Sequence, residues 1–277
     1  MKSQQEIERS LITTFSHAIW RRFAKGLREF VMIQPGDHIA VCISGGKDSM
    51  VLAKLLQEHQ RHGGVPFALT FLTMDPGYRP EVRERIEQNA RGMGIPLTIF
   101  PSNIFAVVEK QEGSPCFLCA RMRRGHLYQK AQELGCNKIA LGHHFDDAIE
   151  TVLMSILYGG QMQAMMPRLK SRNWPGMELI RPMYYVREAD IVAWQKYNEL
   201  EFIPCACSIS ESADRGEGSK RQEMKRLIAH LRTINPRIDS NILLSTRNVD
   251  VDMMLGWKSG GEKHSFMERF SSSCDGM

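Results

Sequence analysis

The chain has 277 residues, of which 43% are hydrophobic and 24% charged, a balance that lets one large domain bury a full core. Its formal net charge of +5 is compatible with a polyanionic partner but does not require one. No stretch approaches the roughly 18 consecutive apolar residues of a membrane-spanning helix, and residues 1–20 lack the apolar core of a signal peptide. The sequence therefore predicts a soluble, cytoplasmic protein without a membrane partner.

Helical and extended patterns follow one another along the chain. The first is an amphipathic helix over Ile7 to Val31, within a helical segment formed by residues 1–32. From residue 38 onwards, short β-rich apolar runs alternate with amphipathic stretches. The predicted strands are His38–Ile43, Phe67–Met74, Leu97–Phe100, Lys138–Leu141 and Met177–Met183. The predicted helices are Ser49–His62, Glu81–Met93, Cys119–Leu134, Asp147–Leu157, Arg187–Leu200 and Ser219–Thr233.

This alternation predicts a doubly wound, parallel α/β sheet with flanking N- and C-terminal helices. We assign residues 33–185 to the α/β domain and residues 186–250 to a basic helical segment. Beyond residue 250 the pattern fades, which predicts a mobile tail over residues 251–277. In such a fold, ligands bind at the carboxyl ends of the strands.

A glycine-rich run leaves the first predicted strand and opens the following helix. It consists of Ser44, Gly45, Gly46, Lys47, Asp48 and Ser49. Glycines allow a tight turn, and the N–H groups at a helix start bind anions. Lys47 and the two serine hydroxyls add donors for a pyrophosphate, while Asp48 can hold magnesium or orient the activated oxygen. The run is not a Walker A loop, because Asp48 stands where that pattern needs Ser or Thr.

A second polar run lies at the end of the fourth predicted strand. It consists of Gly142, His143, His144, Phe145, Asp146 and Asp147. Adjacent carboxylates at this position can cap the helix that follows, or they can face a ligand at the strand ends. The second strand ends in Thr73, Met74 and Asp75 at the same predicted edge.

Four of the seven cysteines are clustered. Cys116 and Cys119 form a C-x-x-C turn, and Cys205 and Cys207 follow much later. Spacing alone leaves zinc, an iron–sulfur cluster, a redox dithiol and packing open. Three cysteines on an iron–sulfur cube would leave one iron open to an exogenous sulfide. Arg123 lies four residues after Cys119 and so shares its helix face.

The order of these motifs resembles the TtcA-type tRNA 2-thiocytidine synthetases, which are PP-loop ATP-pyrophosphatases. The shared features, spanning about residues 40 to 210, are the 44–49 loop, Cys116 to Gly125, Gly142 to Asp147, Tyr158 to Gly160 and Ile203 to Cys205. The resemblance implies that ATP adenylates the C2 carbonyl of an anticodon-loop cytidine, at position 32, and that sulfur then replaces the oxygen. It also implies ATP, magnesium, a [4Fe-4S] cluster, a tRNA substrate and a sulfur donor such as a cysteine desulfurase. A homodimer is a further expectation.

The same resemblance assigns roles to individual residues. The catalytic residues would be Lys47, Asp48, Arg123 and Asp146. The nucleotide would be bound by the 44–49 loop, Thr73, Asp75, Gly142, His143 and Asp147. The cluster would be ligated by Cys116, Cys119 and Cys207, with Cys205 in reserve, because this chain has one residue fewer between its last pair than the family pattern.

Three alternatives remain open at this stage. A PP-loop thiolase could act on another base to give 2-thiouridine, although this chain lacks the extra zinc-ribbon cysteine pairs of that branch. A zinc-containing PP-loop ligase could act on a small molecule, and a zinc-stabilised RNA-binding module could carry a vestigial loop. The basic residues Lys220, Arg221, Lys225 and Arg226 form either a solvated helix face or one that contacts RNA phosphates.

Overall fold

The computed structural model describes residues 1–102, 115–203 and 220–272, with the backbone alone for residues 115–121, 269 and 271–272. The chain begins with helix α1 (Gln4–Ile12), a π-helical stretch (Ser16–Trp20) and helix α2 (Arg21–Glu29). The prediction of one continuous helix over Ile7 to Val31 is therefore wrong. The break falls at Thr13 and Thr14, two β-branched residues with low helix propensity. The Thr13 hydroxyl donates to the Arg9 carbonyl, a side-chain bond that bends or weakens a helix.

Strands and helices then alternate as predicted. The strands are β1 (His38–Cys42), β2 (Ala68–Asp75), β3 (Leu97–Pro101), β4 (Lys138–Ala140), β5 (Arg168–Lys170) and β6 (Glu178–Ile180). The helices are α3 (Lys47–His62), α4 (Pro80–Gly92), α5 (Pro115–Glu133), α6 (Phe145–Leu157), α7 (Glu188–Tyr197), α8 (Lys220–Ile234) and α9 (Ile238–Ser245). Among the described residues, none of these helices is long and apolar enough to cross a membrane.

The strands form one sheet in the order β3-β2-β1-β4-β6-β5, parallel except for β5. The predicted α/β fold is thereby confirmed. The chain moves outward from β1 to β2 and β3 on one side and resumes at β4 on the other. β1 and β4 thus flank the switch point, where the loops after two neighbouring strands diverge and leave a crevice.

The N-terminal helices and α7 belong to the same hydrophobic core as the sheet. Ile7, Phe23, Val41, Leu52 and Trp194 are all fully buried in one cluster. The indole N–H of Trp194 donates to the Ser10 hydroxyl at 3.0 Å, joining α7 to α1. This packing fixes the start of α7, which carries a residue of the site described below.

The parts of the fold that were not predicted include helix α9, strand β5 and the C-terminal hairpin with its helix. The edge strand β5 was missed because its sequence is polar. The Arg168 guanidinium donates to the Glu178 carboxylate at 2.9 Å and so holds β5 against β6. The C-terminal segment contains a hairpin of β7 (Gly256–Ser259) and β8 (Glu262–Ser265), followed by α10 (Phe266–Ser272). The mobility expected of this segment stays a prediction.

Candidate active site

The loop between β1 and α3 is shaped to receive an anion. Gly45 adopts a φ of +85°, and a Cβ there would lie 2.7 Å from the Ile86 side chain, so both its conformation and its surroundings require glycine. The Ser49 hydroxyl accepts from the Ser44 backbone at 3.1 Å and donates to the Gly46 carbonyl at 2.9 Å, closing the turn. Gly46 is the N-cap of α3 and supplies no side-chain cap, so the helix start can receive a ligand.

The second motif packs directly against this loop. A Cβ on Gly142 would lie 3.0 Å from the carbonyl carbon of Asp48 and 3.1 Å from the backbone nitrogen of Ser49. Only glycine permits so close an approach between two backbones. The two sequence motifs, almost a hundred residues apart, therefore form a single site at the switch point.

A cavity of about 380 Å³ opens between the two motifs. Its lining includes seven of the residues predicted for the site, together with apolar and aromatic groups. The predicted residues in its wall are Ser44, Asp48, Ser49, Arg123, Gly142, His143 and Asp147, six of which were assigned to nucleotide binding. Met74, Tyr78 and Leu127 provide an apolar wall suited to a base.

Charge at the loop is concentrated around Lys47. Its ammonium group lies 3.1 Å from the Asp48 carboxylate and 3.0 Å from that of Glu188, at the start of α7. The Asp48 Oδ1 atom is buried and has no hydrogen-bond partner among the described residues. A buried carboxylate oxygen without a donor is costly, and a bound cation would satisfy it.

Glu188 links the loop to the basic helix and was not predicted. Its second oxygen lies 2.9 Å from Lys225 of α8. Hydrogen bonds from Lys225 and Lys47 outweigh burial and lower the pKa of Glu188 to about 2, so it stays ionised. In the sequence, Glu188 looks like an ordinary acidic residue in the first turn of a helix, and nothing connects it with a lysine 141 positions earlier.

Asp146 and Asp147 are divided between scaffold and cavity. Asp147 lines the cavity, accepts from the His144 backbone at 3.0 Å and pairs with Arg221 at 2.8 Å. Asp146 is not part of the cavity wall. Its oxygens accept from the Glu188 backbone at 2.8 Å and from Arg232 at 2.7 Å. The structure thus places Asp146 where it supports the start of α7, and its assignment as a catalytic residue stays a prediction.

Thr73 and Asp75 support the site from beneath. The Thr73 hydroxyl is buried and donates to the Ile43 carbonyl at 2.9 Å, holding β2 against the end of β1. Asp75 accepts from the backbones of Gly77 and Tyr78, at 2.9 and 2.8 Å, and so fixes the turn that presents Tyr78. Neither side chain lines the cavity, whereas their neighbours Met74 and Tyr78 do. Their predicted contact with the nucleotide remains untested.

Two titratable groups in the cavity wall are held neutral near pH 7. Burial, followed by the nearby Arg181 guanidinium, lowers the pKa of His143 to about 4. Burial raises the pKa of the Cys42 thiol to about 12. His143 can therefore bond to a ligand as a neutral imidazole, and Cys42 lacks the thiolate form needed of a nucleophile.

The basic face of α8 turns partly inward. Arg221 pairs with Asp147, and Lys225 lies near both Glu188 and the buried Glu150. Lys220 lies over the Tyr158 ring, with its nitrogen 4.8 Å from the centroid. Arg221 and Lys225 are therefore paired with carboxylates of the site, and contact between this face and RNA phosphates stays a prediction.

The predicted cluster ligands are only partly within the described structure. Cys116 and Cys119 lie in the first turns of α5, where the backbone alone is described. Cys205 and Cys207 lie outside the described residues. Arg123, one helical turn after Cys119, lines the cavity, so α5 leads from the C-x-x-C motif into the site.

Comparison with known proteins agrees with this geometry. Residues 17–215 match the PP-loop domain family, which defines the class of protein. The tRNA-cytidine(32) 2-sulfurtransferase of Syntrophotalea carbinolica is 37% identical over 81% of this chain and 86% of its own length. The enzyme of the same name from Citrifermentans bemidjiense is 35% identical over 83% of this chain and 90% of its own. The chain belongs to the tRNA-cytidine(32) 2-sulfurtransferase family of PP-loop proteins.

A solved structure supports the fold independently. The U34-tRNA thiolase NcsA from Methanococcus maripaludis, determined with its [4Fe-4S] cluster, superposes with a TM-score of 0.65. The alignment covers 83% of this chain and 79% of that one at 21% sequence identity. At this identity the similarity establishes a shared fold.

Proposed function

We propose that this protein is an ATP-dependent tRNA thiolase that converts cytidine 32 to 2-thiocytidine. The observation that carries the proposal is the contact of Gly142 with the backbone of Asp48 and Ser49, which joins both motifs around one cavity. The names of the relatives supply the substrate and the position of the base.

The first step is activation of the base by ATP. The C2 oxygen of the cytosine attacks the α-phosphorus, the bond to the β-phosphate oxygen breaks, and pyrophosphate leaves. The 44–49 loop binds the departing phosphates through the N–H groups at the start of α3 and through Lys47. Arg123, which lines the cavity wall, would stabilise charge that develops on the α-phosphate.

Two carboxylates are suited to hold magnesium. Asp48 and Asp147 both line the cavity, and the Oδ1 atom of Asp48 is buried without a hydrogen-bond donor among the described residues. Oxygen ligands of this kind are the ones magnesium prefers. Bound there, the ion would neutralise phosphate charge during adenylation.

The second step replaces the activated oxygen. A sulfide forms a bond to C2, the C2–O bond breaks, and AMP leaves with the oxygen. Cys116, Cys119 and Cys207 are the proposed ligands of a [4Fe-4S] cluster, which supplies an open iron position for sulfide. Support comes from the cysteine spacing and from the course of α5, which runs from Cys119 to Arg123 in the cavity wall.

The proposal extends to partners and location. A cysteine desulfurase is a suitable sulfur donor: it converts cysteine to alanine and holds the sulfur as a persulfide, from which a thiol reductant supplies the two electrons that release sulfide. Assembly as a homodimer and a location in the cytoplasm also remain part of the proposal.

The decisive experiment is nucleoside mass spectrometry on tRNA from cells that lack this protein. We expect 2-thiocytidine to disappear, to return with the wild-type gene, and to stay absent with Lys47→Ala or Asp48→Ala. Loss of 2-thiouridine with unchanged 2-thiocytidine would refute the cytidine assignment. Release of ADP in place of AMP and pyrophosphate by the purified protein would refute the adenylation step.

A further inference from the structure

A second cavity, of about 610 Å³, lies beside the active site on the face of the sheet covered by α5. Its walls come from α5, from β5, from the segment that joins β5 to β6, and from β6 and the residue after it. A cavity of this size is within the range that binds a nucleotide-sized group. None of the activities assigned above uses it.

The cavity has a strong excess of positive charge. Arg124, Lys170, Arg172 and Arg181 line it, and no carboxylate is among its lining residues in the part of the chain that the structure describes. The pairing seen at the active site, where Lys47, Arg221 and Lys225 each meet a carboxylate, is thus not repeated here. Such an unneutralised group of cations attracts an anionic ligand.

Arg181 gives this cavity a buried donor. The residue is only 9% exposed, and its guanidinium donates to the Met166 carbonyl. Its Nε atom is buried and has no hydrogen-bond partner among the described residues. Burial and the nearby Arg124 guanidinium lower the pKa of Arg181, as expected of a buried cation beside a second cation. An anion in the cavity would satisfy both the charge and the donor.

Aromatic and apolar groups form the rest of the wall. The rings of Trp174 and Tyr128 lie parallel, with an interplanar angle of 5° and centroids 6.2 Å apart. Leu169 and Leu179 contribute apolar surface beside them. Cations that alternate with aromatic rings are the usual means of binding single-stranded nucleic acid, because phosphates meet the cations while bases stack on the rings.

The two cavities are adjacent. Arg123 lines the active site, whereas the next residue, Arg124, lines the second cavity. His143, in the active-site wall, is close enough to Arg181 for the guanidinium to lower the imidazole pKa. A polynucleotide strand with one base in the active site can therefore reach the second cavity with its neighbouring nucleotide.

We propose that this second cavity binds the RNA strand next to the base that is modified, with a phosphate at Arg181 and a neighbouring base on Trp174. The inference rests on the proposed function and adds a substrate subsite to it. Unpaired loop nucleotides can be splayed apart and stacked on a protein in this way. The remaining cations, Arg124, Lys170 and Arg172, would then contact the adjoining backbone.

Three variants test the subsite without disturbing the ATP loop. Trp174→Ala removes the stacking surface, and Arg172→Gln removes one exposed cation. Gly125→Leu fills the cavity: a Cβ at this helical position meets nothing within 4 Å, and leucine favours helix more than glycine does. Arg91→Gln is the matched control, since Arg91 lies near the amino end of β3, at the opposite edge of the sheet.

The measurement is the affinity for fluorescently labelled, unmodified tRNA at several salt concentrations, together with the affinity for ATP. We expect Trp174→Ala and Gly125→Leu to weaken tRNA binding about tenfold, the usual cost of one lost stacked base. Arg172→Gln should reduce the slope of log affinity against log salt by about 0.7, the value for one phosphate contact on a single strand. ATP affinity should match that of Arg91→Gln.

The outcomes separate this inference from the proposed function. If wild-type protein restores 2-thiocytidine in cells while all three variants bind tRNA like Arg91→Gln, the subsite is refuted and the function stands. Weakened ATP binding in place of tRNA binding would also refute the subsite, because the cavity would then serve the nucleotide. If the variants lose tRNA affinity but wild-type protein forms no 2-thiocytidine, the subsite stands and the proposed reaction is refuted.

Discussion

Gly142 offers a direct test of the contact that joins the two motifs. In Gly142→Ala, the new methyl group would lie 3.0 Å from the carbonyl carbon of Asp48 and 3.1 Å from the nitrogen of Ser49. Ordinary carbon contacts begin at about 3.4 Å, so one of the two backbones must move by about 0.4 Å. Gly142 does not adopt a positive φ, so the substitution adds crowding without backbone strain.

The size of the effect follows from what this displacement moves. The atoms pushed aside belong to the first turn of α3, whose N–H groups are proposed to bind the phosphates. A misplacement of about 1 Å in such a site can lower the rate a hundredfold. For a displacement of about 0.4 Å we therefore expect a combined loss of about tenfold in ATP affinity and in the rate of tRNA-dependent AMP release.

Gly26→Ala is the control for general crowding. Its Cβ would lie 3.2 Å from the Pro182 carbonyl oxygen in a buried helix contact that does not line the cavity. Titration calorimetry with ATP, product analysis for AMP and thermal unfolding should be applied to both variants. We expect the two variants to be similarly stable and only Gly142→Ala to lose ATP affinity. Wild-type ATP affinity and AMP release in Gly142→Ala would show that the close contact does not position the loop.

Three further predictions concern buried charge and the cluster. Glu188→Gln should raise the KM for ATP, because Lys47 loses one of its two carboxylate partners. Since the pKa of Glu188 is lowered to about 2, urea unfolding should show that wild-type protein loses stability relative to the variant as pH falls from about 4.5 to 2. Burial raises the pKa of Glu150 to about 7, so wild-type protein should lose stability as pH rises from about 4.5 to 7 and the buried carboxyl ionises. The free energy of unfolding of Glu150→Gln should therefore increase relative to that of wild type by up to about 3 kcal/mol over this range. Equal pH profiles of the two proteins would contradict this. Cys207→Ala, purified anaerobically, should lose bound iron and its brown colour, with Cys205→Ala as the matched control; full iron in Cys207→Ala and loss in Cys205→Ala would reverse the assignment.

The sequence predicts those parts of the structure that depend on local patterns. The alternation of apolar runs is enough to place β1 to β4 and the helices between them, because each element buries a face of its own. The 44–49 loop and the 142–147 run could be located for the same reason, since parallel strands bring their carboxyl ends to one edge. Polar β5 was missed because its stability depends on a cross-strand pair with Glu178, which no local pattern reveals.

Long-range charge pairing explains most of what could not be predicted at the site. The basic run in α8 looks like a phosphate-binding face, yet Arg221 and Lys225 are bound to Asp147 and Glu188. Which carboxylate a lysine meets depends on how helices pack, and the sequence separations here are 74 and 37 residues. The cations of the second cavity, in contrast, come from three separate segments that only the fold brings together.

The division between Asp146 and Asp147 shows how helix geometry limits a motif. Successive residues of an α-helix point about 100° apart, so two adjacent aspartates at a helix start direct their carboxylates to different neighbours. In α6, Asp147 faces the cavity, while Asp146 caps the start of α7 and binds Arg232. Both nevertheless adjoin one site, because the helix that Asp146 supports carries Glu188, whose carboxylate pairs with Lys47 at the loop. An acidic pair can therefore belong to one site in which one carboxylate meets the ligand and the other fixes the residues that do.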